Sequence, residues 1–537
     1  MTKTQTGVIN RAWPGGKGQP LLYPFFVAAY PVVALLSANV TQVGLSSGLR
    51  PLLVSMGLVA VVLAVVRLLT GNWGTAGVLT SLGFILFFSY GHVYAYLERL
   101  NVTGLLIGRH RYLLPIWGML FALGVWRVLR TEDVRRWTPV LNVAAGIALA
   151  IPVLGILAHE ARSGIEQAAI ASASSEECQL VLPQDRPPPD IYYLVLDGYM
   201  RDDVLLEVSG FDNSEFLDSL SEMGFVVARA SQSNYPRTSM SLSSSLNMDY
   251  LGPLGWEGGR DDTERARGLI VHNRLRRELE CLGYTTVAFE TGFEFTEWKD
   301  ADYYLTPHAT GLSRLQLGAG ITDFEHMWIE TSGGVVVLDS EKALANWFPQ
   351  ESHERGQEWR ERILFALSQV PSIAASSSPK LVFVHIIAPH APYVFDRNGG
   401  HIYIDASERP APEIQPAIGH PYWKAYADEM VYVNGLLLEA VRAILANSAV
   451  PPVIVIQGDH GYVSSPQQAR MLILNAYFLP GDGSQRIYES ISPVNTFRVV
   501  LDEYFGGDYG LLPDMSYVPS EDQSRFDELP GKWDGLP

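Results

Sequence analysis

The 537-residue sequence predicts two architectures in one chain, an amino-terminal bundle of five membrane-spanning helices and then a water-soluble α/β domain. Five apolar stretches crowd into the first 159 residues, and after residue 190 short β-branched strands alternate with amphipathic helices. Charge divides at the same place. Up to His159 there are 12 Lys plus Arg against 3 Asp plus Glu, a net of +9; the whole chain is −18, so the remainder carries −27. A domain that acidic is repelled by phosphate backbones, which argues against nucleic acid as a partner.

The first apolar stretch, Leu21–Val43, is uncharged and too closely followed by others to be a cleaved leader. Pro51–Leu69, Gly74–Leu97, Tyr112–Trp126 and Thr138–Leu157 complete a membrane domain over 1–159. Orientation follows from the basic residues in the short loops. Lys3, Arg11, Lys17, Arg67, Arg127, Arg130, Arg135 and Arg136 lie on one side, and Arg50, Arg99, Arg109 and Arg111 on the other. The richer side is the cytoplasmic one, so the domain after the fifth span is expected on the outer face of a cell (inner) membrane.

Residues 160–189 read as a linker that ends in Pro187-Pro188-Pro189, and 190–507 as the α/β domain. Ile191–Leu196 is an apolar strand that delivers Asp197 and Gly198. A helix over Asp203–Met223 and a strand at Phe225–Ala228 follow. Pro236 and the hydroxyl residues after it mark a helix start, placing Thr238 where unpaired N–H groups and the positive dipole end favour a phosphate. One helix is expected over Leu269–Leu282, then a strand at Thr285–Phe289. Little is placed between Gly292 and Gln350, where His308 and His326 read as ordinary surface or core histidines. A helix over Glu354–Val370 leads to the strand Lys380–His385, which opens the run His385-Ile-Ile-Ala-Pro-His390-Ala-Pro-Tyr393, two imidazoles with prolines fixing the turn. After a helix at Tyr422–Leu445, the strand starting at Val453 breaks at Gly458 and Gly461 and projects Asp459 and His460, a carboxylate and an imidazole suited to a divalent metal. Met471–Leu479 reads as a strand, Asn495–Tyr504 as a helix, and 508–537 as an acidic, loosely ordered tail. The two cysteines, Cys178 and Cys281, allow one disulfide or two separate thiols.

With its Gly-Asp-His-Gly and His-x4-His-x-Pro motifs, the region from Asp190 to Tyr504 resembles the alkaline phosphatase and sulfatase superfamily. With its five-span anchor the chain resembles the membrane-bound branch, the lipoteichoic acid synthases and lipid A phosphoethanolamine transferases. The resemblance implies a sulfatase-like α/β sandwich. It implies Asp197, Thr238, Asp459 and His460 as metal ligands, Thr238 also as the nucleophile, and His385 and His390 as groups that contact substrate or a second metal. One zinc or manganese ion is expected, since no histidine follows His460. Neither cysteine sits in the C/S-x-P-x-R context of sulfatases that carry formylglycine, which disfavours sulfate-ester hydrolysis, and Asp197 stands where the transferases usually have Glu. The expected function is metal-dependent phosphoryl transfer or phosphodiester cleavage on a lipid- or envelope-linked substrate. The alternatives are a sulfatase-like hydrolase and a non-catalytic scaffold or sensor.

Overall fold

The computed structural model describes residues 19–529 apart from 41–42, 44, 99–100, 103–104, 107–108, 174–179, 183–186, 257, 260–261, 308–322, 340–355, 378, 411–418 and 463–466. Lys3, Arg11, Lys17, Arg99, Cys178 and His308 lie outside the described residues. The chain forms two compact units, one of residues 1–38, 45–157 and 324–349 and the other of 39–44, 158–323 and 350–537.

The first unit is helical: α1 (Tyr23–Ala38), α2 (Leu49–Thr70), α3 (Trp73–Glu98), α4 (His110–Leu129) and the start of α5 (Thr138–Ala173). Four of these, α2 to α5, are long and apolar enough to cross a bilayer. The 16 residues of α1 fall short of the roughly 20 that a crossing takes. The first apolar stretch was expected to run to Val43, but its helix stops at Ala38, where polar Asn39 follows. Large apolar side chains face outward, with Leu68 at 82% and Ile151 at 68% exposure, an arrangement that suits lipid and not water.

This unit also takes in a segment for which the sequence suggested no structure. Helix α11 (Asp323–Glu330) and the turn and helical residues 335–339 after it bring Trp328 against Phe88 and Val335 against Tyr90 and Leu113. Gly333 donates its N–H to the Phe87 carbonyl at 2.7 Å. A Cβ on Gly91 would lie 2.3 Å from the Glu330 carbonyl oxygen, so only glycine allows this approach. Two ionic contacts pin the segment. The Arg50 guanidinium grips both oxygens of Glu325, and His110 Nε2 lies 2.9 Å from Asp339 Oδ2, which also accepts from the Tyr94 hydroxyl.

The second unit is built on a seven-stranded sheet. In chain order its strands are β1 (Ile191–Leu196), β2 (Val226–Val227), β3 (Thr285–Phe289), β4 (Tyr303–Leu305), β5 (Lys380–Ile386), then, after the hairpin of β6 (Tyr393–Phe395) and β7 (His401–Ile404), β8 (Val453–Gly458) and β9 (Asn475–Phe478). Their order across the sheet is β2-β9-β8-β1-β5-β3-β4, parallel from β8 to β4 and antiparallel at the β9 and β2 edge. Period-two alternation along β1 supplies both layers of the sandwich. Tyr192, Leu194 and Leu196 face α6 (Asp202–Ser209), α7 (Ser214–Glu222), α12 (Gln357–Ala374) and α13 (Pro421–Asn447). Ile191, Tyr193 and Val195 face α8 (Thr238–Asn247), α9 (Thr263–Val271), α10 (Arg274–Cys281) and α15 (Pro493–Tyr504), which follows the short α14 (Gln467–Met471).

Several expected boundaries shift. The helix expected over Asp203–Met223 is two, parted at Gly210 with φ +71°. That over Leu269–Leu282 is also two, because Asn273 caps a new helix by accepting from Arg276 N–H at 2.7 Å. The expected strand Met471–Leu479 is strand only from Asn475 to Phe478. The carboxyl-terminal tail is not loose over its described part. Tyr517–Pro519 pairs with Phe526–Glu528, and Asp514 accepts from Ser492 N–H, the Ser492 hydroxyl and Asn495 Nδ2. Cys281 is disulfide-bonded, and the chain's other cysteine is Cys178.

Candidate functional site

Register alone brings the two carboxylates together. Leu196 pairs with Gly458 on one side and with Ile386 on the other, so Asp197 and Asp459 leave adjacent strands at one height, beside His385 near the end of β5. These are the carboxyl ends of parallel strands, where open α/β sheets hold ligands. Asp197, His385 and Asp459 each offer an atom within 4.8 Å of the others.

Backbone groups aim each donor. Asp459 Oδ1 accepts from the N–H of Gly198 at 2.9 Å and of His460 at 2.8 Å, and Oδ2 is left buried without a partner. His460 Nδ1 lies 2.8 Å from the Gly461 carbonyl, a contact that requires the proton on Nδ1 and leaves a lone pair on Nε2. That Nε2 sits 3.8 Å from Asp197 Oδ1 and 3.6 Å from Asp459 Oδ2. His385 Nε2 is 3.8 Å from Asp197 Oδ2 and has no hydrogen-bond partner, and neither has Asp197 Oδ1. Three buried, unpartnered ligand atoms around one point fit a divalent cation, because each would otherwise carry an unoffset desolvation cost. Burial, then the neighbouring Asp459, pushes the Asp197 carboxyl up. Burial pushes His385 down to about 4, and burial together with the Arg470 charge pushes His460 down to about 3. Both imidazoles are therefore neutral near pH 7, as ligation requires.

Thr238 begins α8, after Arg237 in extended conformation. Its Oγ1 is 3.5 Å from Asp197 Oδ2 and 3.3 Å from His460 Nε2, at the positive dipole end of a helix whose first turn is closed by the Met240 and Ser241 N–H groups donating to the Arg237 carbonyl at 3.1 and 2.8 Å. Ser239 and Ser241, the neighbouring hydroxyls, are buried. His390 lies at the margin: its Nδ1 is 2.7 Å from the Ala391 carbonyl, and its ring meets Tyr462 edge-on at 4.9 Å. Burial pushes it down to about 4. All six residues singled out in the sequence, Asp197, Thr238, His385, His390, Asp459 and His460, thus belong to one neighbourhood.

The whole architecture can be set beside solved structures. The chain is similar to the C-terminal periplasmic domain of EcEptC from Escherichia coli, with 12% identity over 66% of this chain and 95% of that one and a TM-score of 0.40. It is similar to the integral membrane protein lipooligosaccharide phosphoethanolamine transferase A (EptA) from Neisseria meningitidis, with 13% identity over 90% and 94% of the two chains and a TM-score of 0.35. The periplasmic domain of phosphoethanolamine transferase EptC from Campylobacter jejuni matches at 11% identity over 59% and 90%, with a TM-score of 0.34. No family model and no curated protein matches the sequence.

Three residues escaped the sequence reading. Tyr462, Arg409 and Arg470 line the same margin as His390. Arg470 follows His460 by ten positions, a spacing with no motif attached, and Arg409 comes from a distant turn.

Proposed function

We propose that the protein is a membrane-anchored, metal-dependent phosphotransferase or phosphodiesterase with Thr238 as nucleophile, acting on a lipid- or envelope-linked phosphoester. The observation that carries this reading is Thr238 Oγ1 at a helix amino terminus, 3.3 Å from His460 Nε2 and beside a buried Asp-His-Asp group. Asp197, Asp459 and His460 would hold one zinc or manganese ion, with His385 as a further donor. Bound there, the ion would stabilise the alkoxide of Thr238 and charge on the phosphoryl oxygens. Thr238 Oγ would give up its proton to water and attack phosphorus in line, the bond to the leaving oxygen would break as that oxygen takes a proton from water, and water or an acceptor hydroxyl would then take the phosphoryl group from Thr238. The positive dipole end of α8 would favour charge on the equatorial oxygens. Neutral His390, with Nδ1 turned to a carbonyl, has Nε2 available to accept the proton of the incoming hydroxyl. The loop-arginine asymmetry and the disulfide at Cys281 support an outer-face location in an oxidising compartment.

Thr238→Ala is expected to abolish turnover of a phosphodiester while bound metal stays unchanged, since Asp197, Asp459, His460 and His385 remain; the loss should span several orders of magnitude. Rapid quenching of the unaltered enzyme with peptide mass spectrometry should find added phosphoryl mass on the Thr238 peptide. Near-normal activity in Thr238→Ala, with no adduct anywhere, would sink the covalent mechanism.

A further inference from the structure

Arg470 is held from two sides by the loops that carry the reactive groups. Its Nε donates to the Pro236 carbonyl at 2.7 Å, two residues before Thr238, and its own carbonyl accepts the Gly461 N–H at 2.6 Å, one residue after His460. A Cβ on Gly461 would come within 3.0 Å of that carbonyl, so the contact depends on glycine. Arg409 reaches the same place from the turn after β7. One terminal nitrogen donates to the Tyr462 carbonyl, and the guanidinium lies over the Tyr462 ring with its carbon 4.5 Å from the centroid.

Each guanidinium therefore spends one nitrogen on a backbone carbonyl, which fixes its plane. Among the described residues no carboxylate lies within ion-pair distance of either, although Asp197 and Asp459 are near enough to act on Arg470 through space. The two cations also repel each other. Two like charges that act on each other, both half-buried and with no carboxylate at ion-pair distance among the described residues, are costly unless an anion completes them. The two buried carboxylates do not, because they face the metal position; a divalent ion there would leave the arginines as the positive excess.

We propose that Arg470 and Arg409 form an oxyanion fork that binds non-bridging oxygens of a phosphoryl group beside Thr238. The ligand class, a phosphodiester and not a carboxylate or neutral ester, rests on the phosphoryl-transfer reading; the existence of the fork rests on geometry. Guanidinium suits this position because its planar N–H groups meet two oxygens at once, which an ammonium cannot do.

The test uses the full-length, metal-loaded protein in detergent micelles, with inorganic phosphate as the probe and calorimetry as the readout. Arg470→Ala should weaken phosphate binding by roughly tenfold or more. Arg409→Ala should weaken it by less, and metal content should hold in both. Arg470→Lys should recover only part of the loss. Circular dichroism identifies a misfolded variant, in which case Arg470→Gln, closer in size, replaces it. Repeating the titration in micelles with added phosphatidylglycerol separates two sources of the same chemistry, since a lipid headgroup on the fork would compete with phosphate. Equal phosphate affinity in the unaltered protein and both alanine variants would overturn the proposal, as would no phosphate binding at millimolar concentration. An Arg470-dependent phosphate site in a protein that never phosphorylates Thr238 would keep the fork and remove the mechanism. A Thr238 adduct with phosphate binding indifferent to Arg470 would do the reverse.

Discussion

Asp459 gives its two oxygens different tasks. Oδ1 is consumed by the N–H groups of Gly198 and His460, tying the ends of two strands together, and Oδ2 has no hydrogen-bond partner and is the atom the proposed ion would take. Such a division makes the imidazoles the better place to probe metal binding, because removing either leaves that tie intact. His460→Ala and His385→Ala should each lower affinity for divalent metal by more than the 10- to 100-fold typical of an outer-shell change. Elemental analysis of the purified protein checks this, and full metal content in both variants would mean that the ligands lie elsewhere. Residues of this kind were visible in the sequence because a glycine breaks the strand right beside them: Asp197 before Gly198, Asp459 and His460 between Gly458 and Gly461. Arg409 carries no such mark, since it approaches from about fifty residues upstream through a turn whose course local pattern does not encode.

At the scale of elements, the long helix α13 fastens the β6 hairpin through one buried carboxyl. Glu429 Oε2 accepts from Val394 N–H at 2.6 Å and Phe395 N–H at 3.2 Å, while Oε1 is buried without a partner. Burial outweighs those two bonds and the nearby Arg360 charge, and pushes the carboxyl up from 4.5 to about 8. The folded form therefore holds a proton that the unfolded chain releases between those values. Its contribution to stability is complete below about pH 4.5 and is lost as pH rises through about 8. Glu429→Gln keeps the acceptor oxygen and removes the titration. The melting temperature of the variant should therefore fall less than that of the unaltered protein between pH 6 and pH 9; identical slopes would show that Glu429 is ionised throughout. Strands β1, β5 and β8 were legible as elements because buried parallel strands are continuous apolar runs. The break between α9 and α10 was missed although its cause is local, Asn273 capping the second helix inside what looked like one amphipathic run.

At the scale of the whole molecule, sequence order and spatial order part company. Residues 324–339 lie in sequence between strands β4 and β5 of the sheet, yet they pack with the helices of the first unit, held by Arg50 and His110. No local signal announces this, because a short amphipathic helix beside a few aromatics reads the same whether it covers a soluble core or a lipid-facing one. The consequence reaches the bench. A shortened protein beginning at Ser174 would carry both cysteines, all of the sheet and the candidate site, but it would also expose Trp328, Val335 and Val336 to water with their partners gone. Such a secreted fragment should self-associate without detergent, and light scattering should report particles well above monomer size. Replacing 324–339 by a short glycine-serine bridge should restore a monodisperse fragment that keeps its metal; a fragment already monomeric with the native segment would show that those side chains find other cover.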